Sequence, residues 1–201
     1  MRHKRTGRRL GRSSSHRKAL FKNMACALFL TERDPEFFEG MFQSDGKTPV
    51  KPPLHKGRIV TTIQKAKEAR PVIEKCITIA KLVLPDREAA EEFATTADRN
   101  SEEWRKWRKS DKWQTWAAKI APVVKARRRL FAILRDNEAV QIVFDVIAPK
   151  MVGRDGGYTR ILRLAKPRLG DNGTRAILEL VGRHDRKRKA ASQKPEFAAD
   201  E

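Results

Sequence analysis

The chain has 201 residues, and its 45 Lys and Arg against 25 Asp and Glu give it a formal net charge of +20. Such an excess argues for a polyanionic partner. Nucleic acid is favoured over an anionic membrane, because residues 2–18 contain a single large aliphatic residue, Leu10, and no apolar run approaches the ~20 residues of a membrane-spanning helix. Cys26 and Cys76 each lie in an apolar helical pattern, which favours buried thiols in a reducing compartment over a disulfide.

The N-terminal segment is the most basic part of the chain. Residues 1–31 contain nine Lys or Arg, two His and no Asp or Glu. Gly7 and Gly11 oppose a stable helix, so residues 1–12 are predicted to form an extended arm that orders on its partner. From Ser13 onward, serines suited to N-capping precede apolar residues spaced three and four apart, which predicts a helix of about fifteen residues.

A surface excursion is predicted at residues 34–57, which contain four Pro and three Gly. The β-branched run Arg58–Thr62 then predicts a short strand, and Thr62 can cap the helix that follows it. That helix carries a broad apolar face. Pro71 is predicted to kink or divide it, and Pro85 is predicted to end it.

A second excursion, residues 86–125, holds all four tryptophans of the chain. One continuous helix would place two pairs of them on nearly opposite faces, so a break at Ser110 and Asp111 and a helical hairpin are predicted. Two interpretations remain open. The rings form a small aromatic core, or, with the interleaved Lys and Arg, they stack on unpaired bases. The tryptophans are Trp104, Trp107, Trp113 and Trp116.

The C-terminal part predicts two helices and two strands. A helix is expected at residues 123–134, followed by one that Asp136 caps and Pro149 ends. The Gly-rich turn GRDGGY leads into a strand at residues 158–164, and a second strand at 174–181 returns with alternating apolar residues.

The order of these elements predicts an α+β fold in which helices pack on a small sheet: helix, strand, several helices and a two-strand hairpin, with an extended basic N-terminal arm. The predicted organisation is an arm at residues 1–12, a single domain at 13–183 that contains both excursions, and a disordered tail at 184–201.

Catalytic and cofactor-binding motifs do not appear. The glycine cluster at residues 153–157 precedes a strand, whereas a phosphate-binding loop follows one. It also differs in context from the GxxG clamp of a KH domain, which joins two helices. The four His are scattered, with no Cys or His at metal-ligand spacing. We therefore expect no enzymatic activity, no cofactor, no metal and no small-molecule substrate.

Four sequence blocks resemble those of one protein family, in the family's order. They are MRHKRTGRRLGRSSSHRKALFKNM, then IVTTIQKAKEARPVIEKCITIAK, then LRDNEAV with FDVIAPK, and finally GGYTRILRL with RLGD and AILELV. They resemble the opening MRH arm, the TT-x-x-KAKE helix, the RD-x-EAV helix and the GGYTRI motif of the bacterial large-subunit ribosomal protein seventeen family. The two excursions and the longer tail have no counterpart in a typical member.

The resemblance implies a structural constituent of the large (50S) ribosomal subunit in the cytoplasm. Such a protein binds 23S rRNA near the polypeptide exit tunnel, contacts neighbouring ribosomal proteins and supports translation, without a membrane partner. The alternative is a freestanding RNA-binding or RNA-remodelling factor that uses the Trp-rich excursion as a base-stacking platform.

The basic residues fit the rRNA-binding role independently, since Lys and Arg neutralise phosphates and release counterions. A second set on the body includes Tyr158, whose ring could stack on a base or a ribose. The candidate rRNA-binding residues of the arm and first helix are Arg2, His3, Lys4, Arg5, Arg8, Arg9, Arg12, His16, Arg17, Lys18 and Lys22. Those of the body are Lys65, Lys67, Tyr158, Arg160 and Arg163.

Overall fold

The computed structural model describes residues 7–39, 41–42 and 47–182. The described helices, in chain order, are α1 (Ser14–Leu30), α2 (Ile63–Lys81), α3 (Leu84–Glu91), α4 (Glu102–Arg108), α5 (Asp111–Leu134), α6 (Asn137–Ile142) and α7 (Ala148–Lys150). A 3-10 turn at Pro35–Phe38 follows α1, and a π-helical turn at Val143–Ile147 joins α6 to α7. The described strands are β1 (Arg58–Thr62), β2 (Thr159–Arg163) and β3 (Arg175–Leu180).

The three strands form one antiparallel sheet in the order β1-β3-β2. The predicted hairpin is therefore present, and the early strand β1 pairs along the free edge of β3. The apolar alternation of β3 places Ala176, Leu178 and Leu180 on the buried face of the sheet. The backbone N–H of Ile63, the first residue of α2, donates to the carbonyl of Thr174 at 3.1 Å, so α2 starts directly from the sheet.

The core lies between this sheet face and a layer of helices. Phe29 of α1, Ile73 and Ile77 of α2, Leu130 of α5 and Phe144 are fully buried in it. Truncating one such side chain to Ala typically costs about 2–5 kcal/mol. Helices packed on a small antiparallel sheet make this an α+β fold, which confirms the predicted fold class.

Two prolines of this region lie inside helices. Pro71 is exposed inside α2 and does not divide it, because Ala69 and Ile73 on the opposite side of the helix are held in the core. The prediction that Pro85 ends α2 is wrong: α2 ends at Lys81, and Pro85 lies in the first turn of α3. A first-turn proline has no intrahelical hydrogen bond to lose.

The predicted N-cap residues make capping hydrogen bonds at two helices but not at a third. Ser13 caps α1 by accepting from the N–H of His16, and Asp136 caps α6 by accepting from the N–H of Ala139. Thr62 occupies the N-cap of α2, but its side chain makes no capping hydrogen bond. The sheet supplies the partner for the start of that helix instead.

Candidate nucleic-acid interface

The described part of the arm, residues 7–12, is a turn that lies against α2. Gly7, Leu10 and Gly11 all have positive φ, and the N–H of Arg12 donates to the carbonyl of Arg9 at 3.2 Å. The guanidinium Nη1 of Arg8 is 3.3 Å from Oε1 of Glu68. The sequence predicts that the arm orders on its partner, and this ion pair shows that Arg8 also contacts the body of the protein. Arg2, His3, Lys4 and Arg5 lie outside the described residues.

The start of α1 continues the basic surface. Arg12 Nε donates to Nε2 of His16 at 3.3 Å, which fixes two candidate side chains over the N-terminal turn. The first turn of α1 contains no acidic residue. Since the N-terminus of a helix carries a partial positive charge, this end of α1 favours an anion. Arg9 is exposed beside it, and Arg17 is half-buried.

Lys18 and Lys22 stand one helical turn apart on α1 and line a cleft of about 640 Å³. Arg135 also lines this cleft and caps the C-terminus of α5 in the left-handed conformation, with φ 55°. Phe21 and Ile133 contribute to the apolar lining between these cations. Arg135 was not among the predicted residues, although it lies in the LRDNEAV block on which the resemblance rests.

The second set of candidates converges on the α2–β2 side of the sheet. Lys67, Arg160 and Arg163 line one cleft of about 550 Å³, together with Arg70. Arg70 Nη2 donates to the carbonyl of Thr159 at 3.2 Å, which ties α2 to β2. Arg70 was missed by the sequence analysis, yet it follows Lys67 by three residues, a spacing that places both on one helix face.

Lys65 lines a different cleft, of about 640 Å³, with Arg168 and Arg175. Asp171 hydrogen-bonds to Arg168, and this contact raises the pKa of Arg168 and lowers the pKa of Asp171 to about 2. Both side chains therefore stay charged throughout the physiological range. Arg168 and Arg175 flank the β2–β3 turn and were not predicted, because local sequence does not show that this turn faces α2.

Tyr158 does not suit the role that the sequence suggested. Only 3% of the residue is exposed, and its ring belongs to the hydrophobic core. A base or ribose cannot stack on a ring that core side chains already cover, so the stacking role is wrong. Its carbonyl accepts from the N–H of Val181 at 2.9 Å, a structural contact beside β3.

Arg160 is partly engaged by a buried carboxylate. Glu179 is 1% exposed, and its two oxygens lie 2.5 Å from Arg58 Nε and 3.4 Å from Arg160 Nη1. Because Glu179 on β3 stands opposite both arginines in the sheet register, the three form a row across the strands. Arg160 is thus less available to a phosphate than Arg163, which is exposed.

The described residues offer little catalytic chemistry. Burial raises the pKa of the Cys26 thiol to about 11 and that of Cys76 to about 12, so both stay protonated and weakly nucleophilic. In the parts of the chain that the structure describes, no group of three or more His, Cys, Asp or Glu could hold a metal ion. Among those same residues, no helix is long and apolar enough to cross a membrane.

Similar proteins identify the family. A family model described as Ribosomal protein L17 matches residues 50–181. The large ribosomal subunit protein bL17 of Rhodopirellula baltica is 54% identical over 200 residues, in an alignment that covers 100% of this chain and 90% of the relative. The chain belongs to the ribosomal protein L17 family. The bL17 proteins of Allorhizobium ampelinum and Agrobacterium fabrum are each 32% identical over 200 residues, covering 100% of this chain and 95% of each relative.

Membership of the L17 family confirms the resemblance drawn from the four sequence blocks. The match to the family model contains all three strands and the second set of basic residues, whereas residues 7–30 lie before it. The alignments with the bL17 relatives cover the arm and both excursions as well. None of these similarities supports the alternative of a freestanding RNA-remodelling factor.

The Trp-rich excursion of this L17 member divides its rings into two groups. α4 ends at Arg108 and α5 begins at Asp111, where the sequence predicts the break. The rings of Trp107 and Trp116 meet edge to face at 5.4 Å between centroids, and Trp107 Nε1 donates to the carbonyl of Phe93 at 3.0 Å. This pair is an aromatic core between the two helices.

Proposed function

We propose that this chain is a structural constituent of the large (50S) ribosomal subunit, which binds 23S rRNA near the polypeptide exit tunnel and supports translation in the cytoplasm. The relatives that align over its whole length are named as large ribosomal subunit proteins. The location near the exit tunnel, among neighbouring ribosomal proteins, rests on the family resemblance. No enzymatic step and no cofactor enter the proposal.

The observation that carries the rRNA assignment is the unneutralised basic surface of the arm and α1. Residues 7–31 contain no Asp or Glu, and of their Arg and Lys side chains only Arg8 has a carboxylate partner within the described residues. Unpaired cations in this density repel one another, and rRNA phosphates relieve that repulsion while releasing counterions. The other cations of this surface are Arg9, Arg12, Arg17, Lys18 and Lys22.

The two basic regions are joined in space by the contact between Arg8 and Glu68. Glu68 follows Lys67 on α2, and Lys67 lines the cleft that also contains Arg163. The contact therefore brings the arm to the segment of α2 that carries Lys67, and the two together form the proposed rRNA surface. Phosphate contacts along it would hold the protein in position rather than read base sequence.

Co-sedimentation with the large subunit tests the proposal. The full-length protein should migrate with large subunits through a sucrose gradient at moderate salt. The variant Arg8→Gln, Arg9→Gln, Arg12→Gln should be released at lower salt, with a salt slope reduced by about two to three units. The matched control is Lys125→Gln, Arg128→Gln, Arg129→Gln, three exposed cations of α5. Wild-type protein that stays at the top of the gradient would disprove the function, and a cryo-EM map of the subunit would test its location.

A further inference from the structure

Arg108 at the end of α4 contacts two indole rings that the aromatic core does not use. Its guanidinium Cζ is 5.0 Å from the ring centroid of Trp104 on α4 and 5.7 Å from that of Trp113 on α5. We call these three residues the Trp–Arg–Trp cluster. Cation–π contacts with two rings restrict the guanidinium, so less side-chain entropy is lost when its N–H groups bind an acceptor.

The positive charge of Arg108 is not neutralised by a neighbouring carboxylate among the described residues. Arg108 is exposed, and no carboxylate lies within ion-pair distance of it among the residues that the structure describes. From Trp104 to Trp113 the sequence carries five Lys or Arg and a single Asp. The two acidic residues of α4, Glu102 and Glu103, occupy its first turn, at the opposite end of the helix. An anion approaching Arg108 therefore meets a locally positive surface.

We propose that the Trp–Arg–Trp cluster is a second RNA-binding site, in which the Arg108 guanidinium binds a phosphodiester group. The planar N–H fork of arginine matches the oxygens of a phosphate, and charge-assisted hydrogen bonds of this kind are strong. Trp104 and Trp113 are only half-buried, so their rings also offer apolar surface to the adjoining bases. For its RNA partner the proposal rests on the proposed function, but it involves none of the residues of the arm or of the β2 clefts.

RNA is favoured over an acidic protein segment because the cluster combines clustered cations with partly exposed aromatic rings. A carboxylate-rich peptide would use the charge but not the rings, whereas single-stranded RNA offers phosphates and bases together. The aromatic core pair accounts for the folding of the hairpin through Trp107 and Trp116. Among the described residues, the cation–π contacts of Arg108 are with Trp104 and Trp113 and not with this pair.

Intrinsic fluorescence reads this site directly, because every tryptophan of the chain lies in the hairpin. The full-length protein is titrated with a short single-stranded oligouridylate while tryptophan emission is recorded. We expect a saturable, salt-dependent change, weakened at least about tenfold in Arg108→Gln through loss of the charged hydrogen bonds. Arg128→Gln, an equal charge change at an exposed position on α5, should retain wild-type affinity.

Two further variants keep the result decisive. A shift in the emission of the free Arg108→Gln protein would mean that the substitution disturbs the hairpin, and Arg108→Lys is then tested in its place. Lysine keeps the charge but lacks the planar set of N–H donors. Wild-type affinity in Arg108→Lys would overturn the proposal. The arm variant with Gln at positions 8, 9 and 12 should leave the tryptophan response intact. A response that disappears in the arm variant, or equal weakening in Arg108→Gln and Arg128→Gln, would also overturn it.

A second probe separates RNA from an acidic protein. Polyglutamate of matched total charge should bind more weakly than oligouridylate, and equal affinity would refute the RNA assignment. Failure here is distinguishable from failure of the proposed function. The Arg108→Gln protein should still sediment with the large subunit, because the arm is unchanged. Wild-type protein that does not sediment with the subunit would contradict the proposed function, and the fluorescence result would remain valid.

Discussion

Arg8 and Glu68 form an ion pair that joins the segment before α1 to the middle of α2, with 3.3 Å between Nη1 and Oε1. The two residues are 60 positions apart in sequence. About half of the Arg8 side chain remains exposed, against a fifth of Glu68. An ion pair this solvated contributes little stability. It places the Arg8 guanidinium beside α2, where the Glu68 carboxylate competes with phosphate for it.

Replacing Glu68 with Gln should release Arg8 without destabilising the fold. We expect a change of less than about 1 kcal/mol in the free energy of unfolding, since the pair is screened by solvent. Affinity for an rRNA fragment should rise modestly, because one carboxylate no longer competes with phosphate. Anisotropy titration measures the affinity, and Glu88→Gln, an exposed residue of α3, is the matched control. A fall in affinity would show that Glu68 orders the arm for binding.

Deleting residues 2–12 should separate stability from binding. The described residues of the arm contact the body through the Arg8–Glu68 pair and the exposed Arg12–His16 hydrogen bond, so the melting temperature should change by only a few degrees. The salt slope of rRNA binding should fall, because six of the deleted residues are Arg or Lys. Calorimetry and salt-dependent binding measure the two quantities. An unchanged salt slope would exclude the arm from the interface.

The sequence predicted best where one residue pattern decides the structure. The alternation of Ala176, Leu178 and Leu180 defines the buried face of β3, and the serines before Leu20 define the start of α1. Both signals lie in neighbouring residues, so a single amino-acid sequence is enough to predict these two features. The same holds for the acid-free arm, whose composition alone predicts a polyanionic partner.

Tertiary packing decided the features that the sequence did not show. Pro71 stays within α2 because the residues facing the core hold the helix on both sides of it. Tyr158 is covered by the core, although the preceding glycines suggested an exposed turn. Arg70 and Arg175 join the clefts only when α2 lies beside the sheet. The spacing of Lys67 and Arg70 is local, but no local pattern shows that α2 packs beside the sheet.

Glu179→Gln should destabilise the sheet. The carboxylate is 1% exposed, accepts from Arg58 and forms an ion pair with Arg160, so removing its charge leaves two partly buried guanidinium groups without their counterion. Breaking a buried pair costs about 3–5 kcal/mol. Urea unfolding measures the loss, and Glu91→Gln, whose partner Arg87 is on the same exposed helix face, should cost less than about 0.5 kcal/mol. Equal costs in the two variants would contradict a structural role for Glu179.

The buried thiols predict how stability responds to alkaline pH. Burial raises the pKa of Cys76 from 9.0 to about 12 and that of Cys26 from 9.0 to about 11. Above about pH 9 the unfolded chain loses these protons while the folded chain keeps them, so the free energy of unfolding falls as pH rises. The stabilising contribution is complete below pH 9 and is lost as pH increases through the folded pKa values.

Cys76→Ala should therefore flatten the alkaline fall in stability. Relative to the wild type, its free energy of unfolding should improve by about 1 kcal/mol between about pH 8 and about pH 10, because one pKa unit corresponds to about 1.4 kcal/mol. The variant's fixed cavity cost is common to both pH values and cancels in this difference. Urea unfolding at each pH provides the measurement, and parallel pH profiles for the two proteins would show that Cys76 is not the titrating group.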